Sequence, residues 1–405
     1  MARLLLLPLA LAAFWAAGAV PSGATARACA ALAWSPPADG LAASNAAELR
    51  RRLDEARGGG TILLAGGDYG RFELSGYQPS GDVVIAAADP DSPPEFSHLG
   101  IDHSSRLTLA GIRVRIDVDS GKPLRVGDLD AGMTISGSRG VVIRNVHIIG
   151  KAEPAGTRHR VADSMRGTRR MIDFSGLGRG LGLRVDDSSG IRVEGSTFSD
   201  LTVGTNFNRV ADVRFIGNTY SRISVDSSDW SGIDGLLFRG NLITDNDVPR
   251  GMKHADLMQF RQSTSRDVTI DNNVLISASP ISHGIYFGSS RAGNFRFVNI
   301  VITNNLVLAS QRLALAVEHA DGLTIAGNRV LSNRAAGRSP AAILVEESST
   351  NVRVTKNTAN VISASVRGFT KNRPAPPDWV WTPNKQVAGG ARPPDPARAP
   401  ACSGS

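Results

Sequence analysis

The chain has little of several things that commonly anchor a fold. Only 2 of its 405 residues are cysteine, aromatic residues make up 5%, and Lys+Arg exceed Asp+Glu by 45 to 37. With so few bulky side chains and with Gly 43 and Pro 21, a helical bundle packed from Ala and Leu is not expected; a turn-rich chain with a thin core is. Cys29 and Cys402 give neither a metal-ligand set nor a nucleophile. In an oxidising compartment they could pair and tie the chain ends together, and otherwise they are two thiols without a role. The shortage of acidic groups leaves a formal +8, which suits an acidic partner without naming one.

Long apolar runs are also missing after the first residues. Arg3 precedes the run Leu4 to Ala17, and a small-residue stretch follows that ends in Ala26-Arg27-Ala28. This is the pattern of a secretory signal cleaved after residue 28, and no later stretch approaches the roughly 20 apolar residues of a membrane span. The expectation is a periplasmic or secreted protein, monomeric, with 43 basic against 37 acidic residues after processing. Arg27 lies between the apolar run and Cys29, which argues against a lipid attachment there.

What is present is a repeat. Residues 43–57 read as one amphipathic helix, with Ala47, Leu49 and Leu53 at helical spacing and Ser44 or Asn45 able to cap its start. Beyond residue 100, short strands of Val, Ile, Leu and Phe end in Gly-Asn or Asn-Asn, as in VRFIGN, LLFRGN, VTIDNN, IVITNN and LTIAGN. The closing Asn steps from 218 to 241, 273, 305, 328 and 357, intervals of 23, 32, 32, 23 and 29. Such spacing marks a solenoid. The fold class expected is all-β, a right-handed parallel β-helix with an N-terminal capping helix. A β-propeller would need evener spacing of about 40 residues and recurrent aromatics. The domain reading is therefore a signal over 1–28, a β-helix over 29–370, and a Pro/Gly/Ala-rich tail over 371–405 expected to be mobile. Trp379 and Trp381 are expected to pack back on the last turn rather than to stack on sugar.

A filled solenoid must carry function on outward side chains and lengthened loops, and the 32-residue intervals mark such loops. Alternation turns Val203, Thr205 and Phe207 inward and Gly204, Asn206 and Asn208 outward. The same count places Asp226 and Ser228 outward, Met258 and Phe260 inward, Gln259 and Arg261 outward, and Tyr286 outward between Ile285 and Phe287. Lys253, His254, Asp256 and His283 fall at strand entrances, and Glu318 and His319 at a strand end. The expected groove floor is Asn206, Asp226, Gln259, Tyr286 and Glu318 on one external face.

The stretch AAELRRRLDEARGGGTILLAGGDYGRFEL resembles the first helix and coil of β-helices of the polysaccharide-lyase type, a group with alginate lyases and chondroitinase B. The GN/NN-ended strands and KHADLMQF resemble secreted bacterial β-helix proteins with a His-x-Asp-x-x-Gln segment on the long central turn. The resemblance covers roughly residues 43–365 as architecture, and it implies a polysaccharide lyase acting on an acidic, uronate-containing polymer. The calcium-plus-Lys/Arg arrangement of the lyases has no residue-by-residue counterpart here. For β-elimination the candidates are Lys253 or His254 as base, beside Asp256; Tyr286 or His283 as acid; and Asn206, Gln259 and Arg261 as donors to the substrate carboxylate. Asn208, Asp226, Glu318 and His319 complete the substrate-binding set. A glycoside hydrolase would use Asp226, Asp229 and Asp256 instead. A uronan C5-epimerase shares the proton abstraction of the lyase, and a binding solenoid would hold polymer without product. No metal ligand is assigned; Ca2+ on Asp226, Asp229 and Asp234, or on Asp245 and Asp247, is the one candidate ion. Nucleic acid is not an expected partner, because no basic face carries interleaved aromatics.

Overall fold

A computed structural model describes residues 35–118, 129–162, 169–244, 246–252, 255–261, 263–277, 279–288, 295–333 and 339–391. The segment read as a signal, Cys29, Cys402, Lys253, His254 and Asp245 lie outside the described residues.

The helix forms over Ala46–Glu55, shorter than expected at both ends because its caps are local. The Asn45 side chain accepts from the Glu48 backbone N–H, and Glu48 accepts in return from the backbone N–H and the hydroxyl of Ser44. Leu49 and Leu53 turn onto the open end of the first coil, where Tyr77 donates its hydroxyl to the Leu53 carbonyl.

From there the chain winds as a parallel solenoid, and nearly all of its strands join one sheet whose neighbours are one coil apart in sequence. The central coils carry three strands each. In one of them Val203–Ile216 bends into two faces and Thr219–Ile223 makes the third. Thr205 to Asn208 pair with Ser228 to Ser231 of the next coil, and Val210 to Ile216 pair with Ile233 to Arg239.

The Gly-Asn and Asn-Asn pairs divide two tasks between their residues. The first residue takes the left-handed conformation, with φ 66° at Gly217, 65° at Gly240, 54° at Asn272 and 56° at Asn304. The second is buried and builds a ladder. Asn241 donates its backbone N–H and its side-chain amide to the Asn273 carbonyl oxygen, at 2.8 and 3.0 Å, and Asn273 does the same to Asn305. The ladder runs Asn218, Asn241, Asn273, Asn305, Asn328, Asn357 and Asn384. Its last member lies in the Pro-rich segment read as a tail. Residues 372–391 of that segment instead follow the last coil: Lys385–Gln386 pairs with Thr358–Ala359, and Trp379 and Trp381 pack on the solenoid end with ring centres 5.6 Å apart. Composition signalled mobility, but Val380, Pro383, Lys385 and Val387 make backbone hydrogen bonds to the coil beneath.

The few aromatics are concentrated in the interior. Phe207, Trp230, Phe260 and Phe287 stand in register on successive coils, and the Phe260 and Phe287 rings stack at 4.1 Å. Each such pair adds about 1 kcal/mol beyond its buried area. Because alternation is strict, this inner stack also fixes which side chains point outward on the same strands.

Candidate functional site

The outward neighbours of the aromatic stack are Arg184, Asn206, Asp229, Gln259 and Tyr286, one per coil. Adjacent strands lie about 4.8 Å apart, so these five form a continuous floor along the solenoid axis. Two residues further along each strand run Asp186, Asn208, Ser231, Arg261, Gly288, Glu318 and Glu346. The hairpin of Arg158–Ala162 with Arg169–Asp173 enters just before strand Leu181–Asp186, and its Ile172 and Phe174 pack with Leu181, Val203, Val225 and Met252. Glu153, fully buried, accepts from His159 at 2.7 Å and Arg179 at 3.0 Å and fastens the base of the hairpin. The result is a cleft of about 430 Å³ lined by Leu181, Arg184, Asp186, Val203, Asn206, Asp229 and Arg261.

Behind the cleft wall, Asp229 shares its surroundings with two further carboxylates, Asp226 and Asp256, neither of which lines the cleft. Asp229 is 1% exposed, and one of its oxygens accepts from the Arg261 guanidinium at 2.7 Å. Asp226 accepts from the Asp256 backbone N–H at 2.9 Å, and Asp256 bonds His283 Nδ1 at 2.9 Å. Burial, then the charge of Asp226 and that of Asp256, push the Asp229 carboxyl up to about 8, with Arg261 and the Asn206 side chain pulling against them. Further along, burial and then Glu318, Asp256 and Glu346 hold the Tyr286 phenol above its ordinary range. Gly288 lets Tyr286 and Glu318 meet over the floor, since a Cβ there would stand 2.6 Å from the Tyr286 hydroxyl and 2.8 Å from Glu318 Oε2.

Two expected positions shift. Ser228 points inward and meets Thr205 at 3.0 Å, so Asp229 and not Asp226 occupies the Asn206 register. Residues 224–227 form a corner rather than strand, so the period-two alternation does not carry through them. Glu318 likewise follows Arg261 and Gly288, while Ala316 continues the Tyr286 line. His319 closes that end with φ 51° and lies 3.2 Å from Glu346, well along the floor from Asp229. Asn208 donates to Asp186 at 3.2 Å. Asp234 is exposed on the next face, paired in register with Ala211, so it does not join Asp226 and Asp229 around an ion. Among the described residues no three His, Cys, Asp or Glu side chains form a metal-binding group.

A family model described as right handed beta helix region matches residues 126–329, just over half of the chain. The chain belongs to this family. No curated protein matches it. Among solved structures this β-helix is similar to PfbA, a surface adhesin of Streptococcus pneumoniae, with TM-score 0.51, 12% identity, and 82% of this chain and 94% of that one covered. It is also similar to an endo-xylogalacturonan hydrolase from Aspergillus tubingensis, at TM-score 0.43 and 13% identity over 85% and 96% of the two chains. The A-module of the mannuronan C-5 epimerase AlgE6 from Azotobacter vinelandii gives 0.36 and 15% over 87% and 97%. At these identities the likeness is one of fold. No helix among the described residues is long and apolar enough to cross a membrane.

Arg184 and Asp186 of this β-helix escaped sequence reading, although LRVD (183–186) alternates like VGTNFN one coil later. Extending the alternation back by one coil would have found both.

Proposed function

We propose that this β-helix is a glycoside hydrolase acting on an acidic polysaccharide, with Asp229 as the general acid. The observation that carries this reading is a buried carboxyl lining a polar cleft, Asp229, whose pKa is raised by burial and by the charges of Asp226 and Asp256. Hydrolysis requires a proton for the leaving glycosidic oxygen and a second carboxylate that acts on water or on the sugar. Asp229 gives the proton. Asp226, which accepts from the Asp256 backbone N–H, would supply the anionic partner, and buried Asp256, bonded to His283, would support it from behind. Asn206 and Gln259, on the rungs either side of Asp229, would bind sugar hydroxyls. The basic excess of the chain supports an acidic polymer, and the N-terminal segment read as a secretory signal would deliver the enzyme to it outside the cytoplasm.

The eliminative reading rests on Lys253 and His254 as base, and the high phenol pKa makes Tyr286 a weak proton donor for it. One assay separates the classes. Purified protein is incubated with alginate, polygalacturonate and neutral glucans while reducing ends and the ultraviolet absorbance of unsaturated uronates are followed. New reducing ends without absorbance are expected. Absorbance would replace the hydrolase with a lyase, and retention on a polymer column without any product would leave a binding solenoid. In the Asp229→Asn variant turnover should fall by about 10²- to 10⁴-fold, the usual worth of a positioned acid.

A further inference from the structure

We propose that Arg184 is an anion-recognition subsite of the cleft, binding a charged substituent on a sugar unit adjacent to the one cleaved at Asp229; this rests on the hydrolase reading above. Arg184 stands on the same outward line as Asn206 and Asp229, two coils or about 10 Å from the acid along the axis. An extended polymer lying on the floor with its scissile bond at Asp229 passes over it.

Arg184 differs from the ion-paired arginines near it. Arg209 is paired with Asp187, Arg222 with Asp200, Arg144 with Glu194, and Arg261 with Asp229, all within 2.9 Å. Arg184 has no carboxylate within ion-pair distance among the described residues, and its polar contact is a long one of 3.4 Å to the Leu129 carbonyl. The carboxylate nearest along the strand, Asp186, also lines the cleft, but its oxygen takes the Asn208 amide instead. Arg261, the other cation of the cleft, is committed to Asp229. Arg184 is thus the cleft cation whose planar fork is open to a ligand, and a carboxylate or sulfate oxygen pair matches that fork in shape and charge. Its rung neighbours, Thr134 before it and Asn206 after it, are uncharged and do not compete for it.

The test measures binding and turnover separately on oligogalacturonate, on the same oligomer with its carboxyls reduced to alcohols, and on that reduced oligomer after sulfation. Wild-type protein should bind one or both anionic oligomers more tightly than the neutral one, with an affinity that falls as salt rises. Arg184→Gln should weaken anion binding about tenfold and leave the neutral oligomer unchanged, with Arg184→Lys restoring part of the loss. Thr134→Asp, which sets a carboxylate on the adjoining rung, should remove the preference for anions while Arg184 itself is intact. Loss from the carboxylated oligomer alone identifies a uronate, and loss from the sulfated one alone identifies a sulfate ester. The proposal is overturned if wild-type protein does not favour either anionic oligomer, or if Arg184→Gln affects charged and neutral oligomers equally. Absence of turnover with selective, Arg184-dependent binding would remove the hydrolase reading and keep the subsite.

Discussion

Asp229 concentrates the electrostatic tension of the molecule. Its carboxyl sits in the wall of a closed core, where ionisation would place a third negative charge beside Asp226 and Asp256. Because its native pKa lies above the unfolded value, the folded protein binds more protons than the unfolded chain between roughly pH 4 and pH 8. Stability should therefore fall as pH rises through that window, by on the order of a few kcal/mol from this group. Asp229→Asn mimics the protonated state without titrating, so urea unfolding of the variant should show a smaller loss between pH 5 and pH 8.5. An equal slope in both proteins would mean that Asp229 does not hold its proton. Arg261 tests the same balance from the other side. Since its charge lowers the Asp229 pKa, Arg261→Gln should move the alkaline limb of the activity profile to higher pH, measured as kcat/KM against pH.

The element that repeats most faithfully is the Gly/Asn corner, and its two residues are not interchangeable. Asn273 is buried, donates to the Phe238 carbonyl and to Asn305, and accepts from Asn241. Asn273→Ala leaves these partners without water, at a cost of about 2 to 4 kcal/mol read from urea unfolding. Asn272, which contributes the left-handed turn and is not a ladder member, should tolerate Gly with a change under about 1 kcal/mol. This corner explains why the strand pattern was readable from sequence: both the turn and the ladder select residue types directly. The corner at 224–227 has no such signature. Residues Ser224 to Ser227 leave strand geometry without Gly or Asn, so period-two alternation read through them puts Ser228 outward and Asp226 in the floor register, where the structure has Ser228 inward and Asp229.

A solenoid is stabilised coil by coil, and its ends are where it frays. At the first end Leu49 and Leu53 of the helix cover the open coil; at the other, Trp379, 7% exposed, covers the last one. Trp379→Ala should cost about 3 to 5 kcal/mol locally and raise amide hydrogen exchange in strands Thr350–Thr355 and Val361–Ser365, leaving exchange at the cleft coils unchanged. Uniform acceleration across all coils would show that the solenoid unfolds as one cooperative unit. What the sequence determined by itself was the solenoid, because the strand period, the left-handed corner and the buried Asn each act within a few residues and recur in every coil. The site was decided by tertiary structure. Asp226, Asp229 and Asp256 belong to different coils or to a corner between strands, and Arg184 and Asp229 are 45 positions apart in the chain yet two rungs apart in space. Nothing local sets which outward side chains share a rung; the stacking of Phe207, Trp230, Phe260 and Phe287 behind them does.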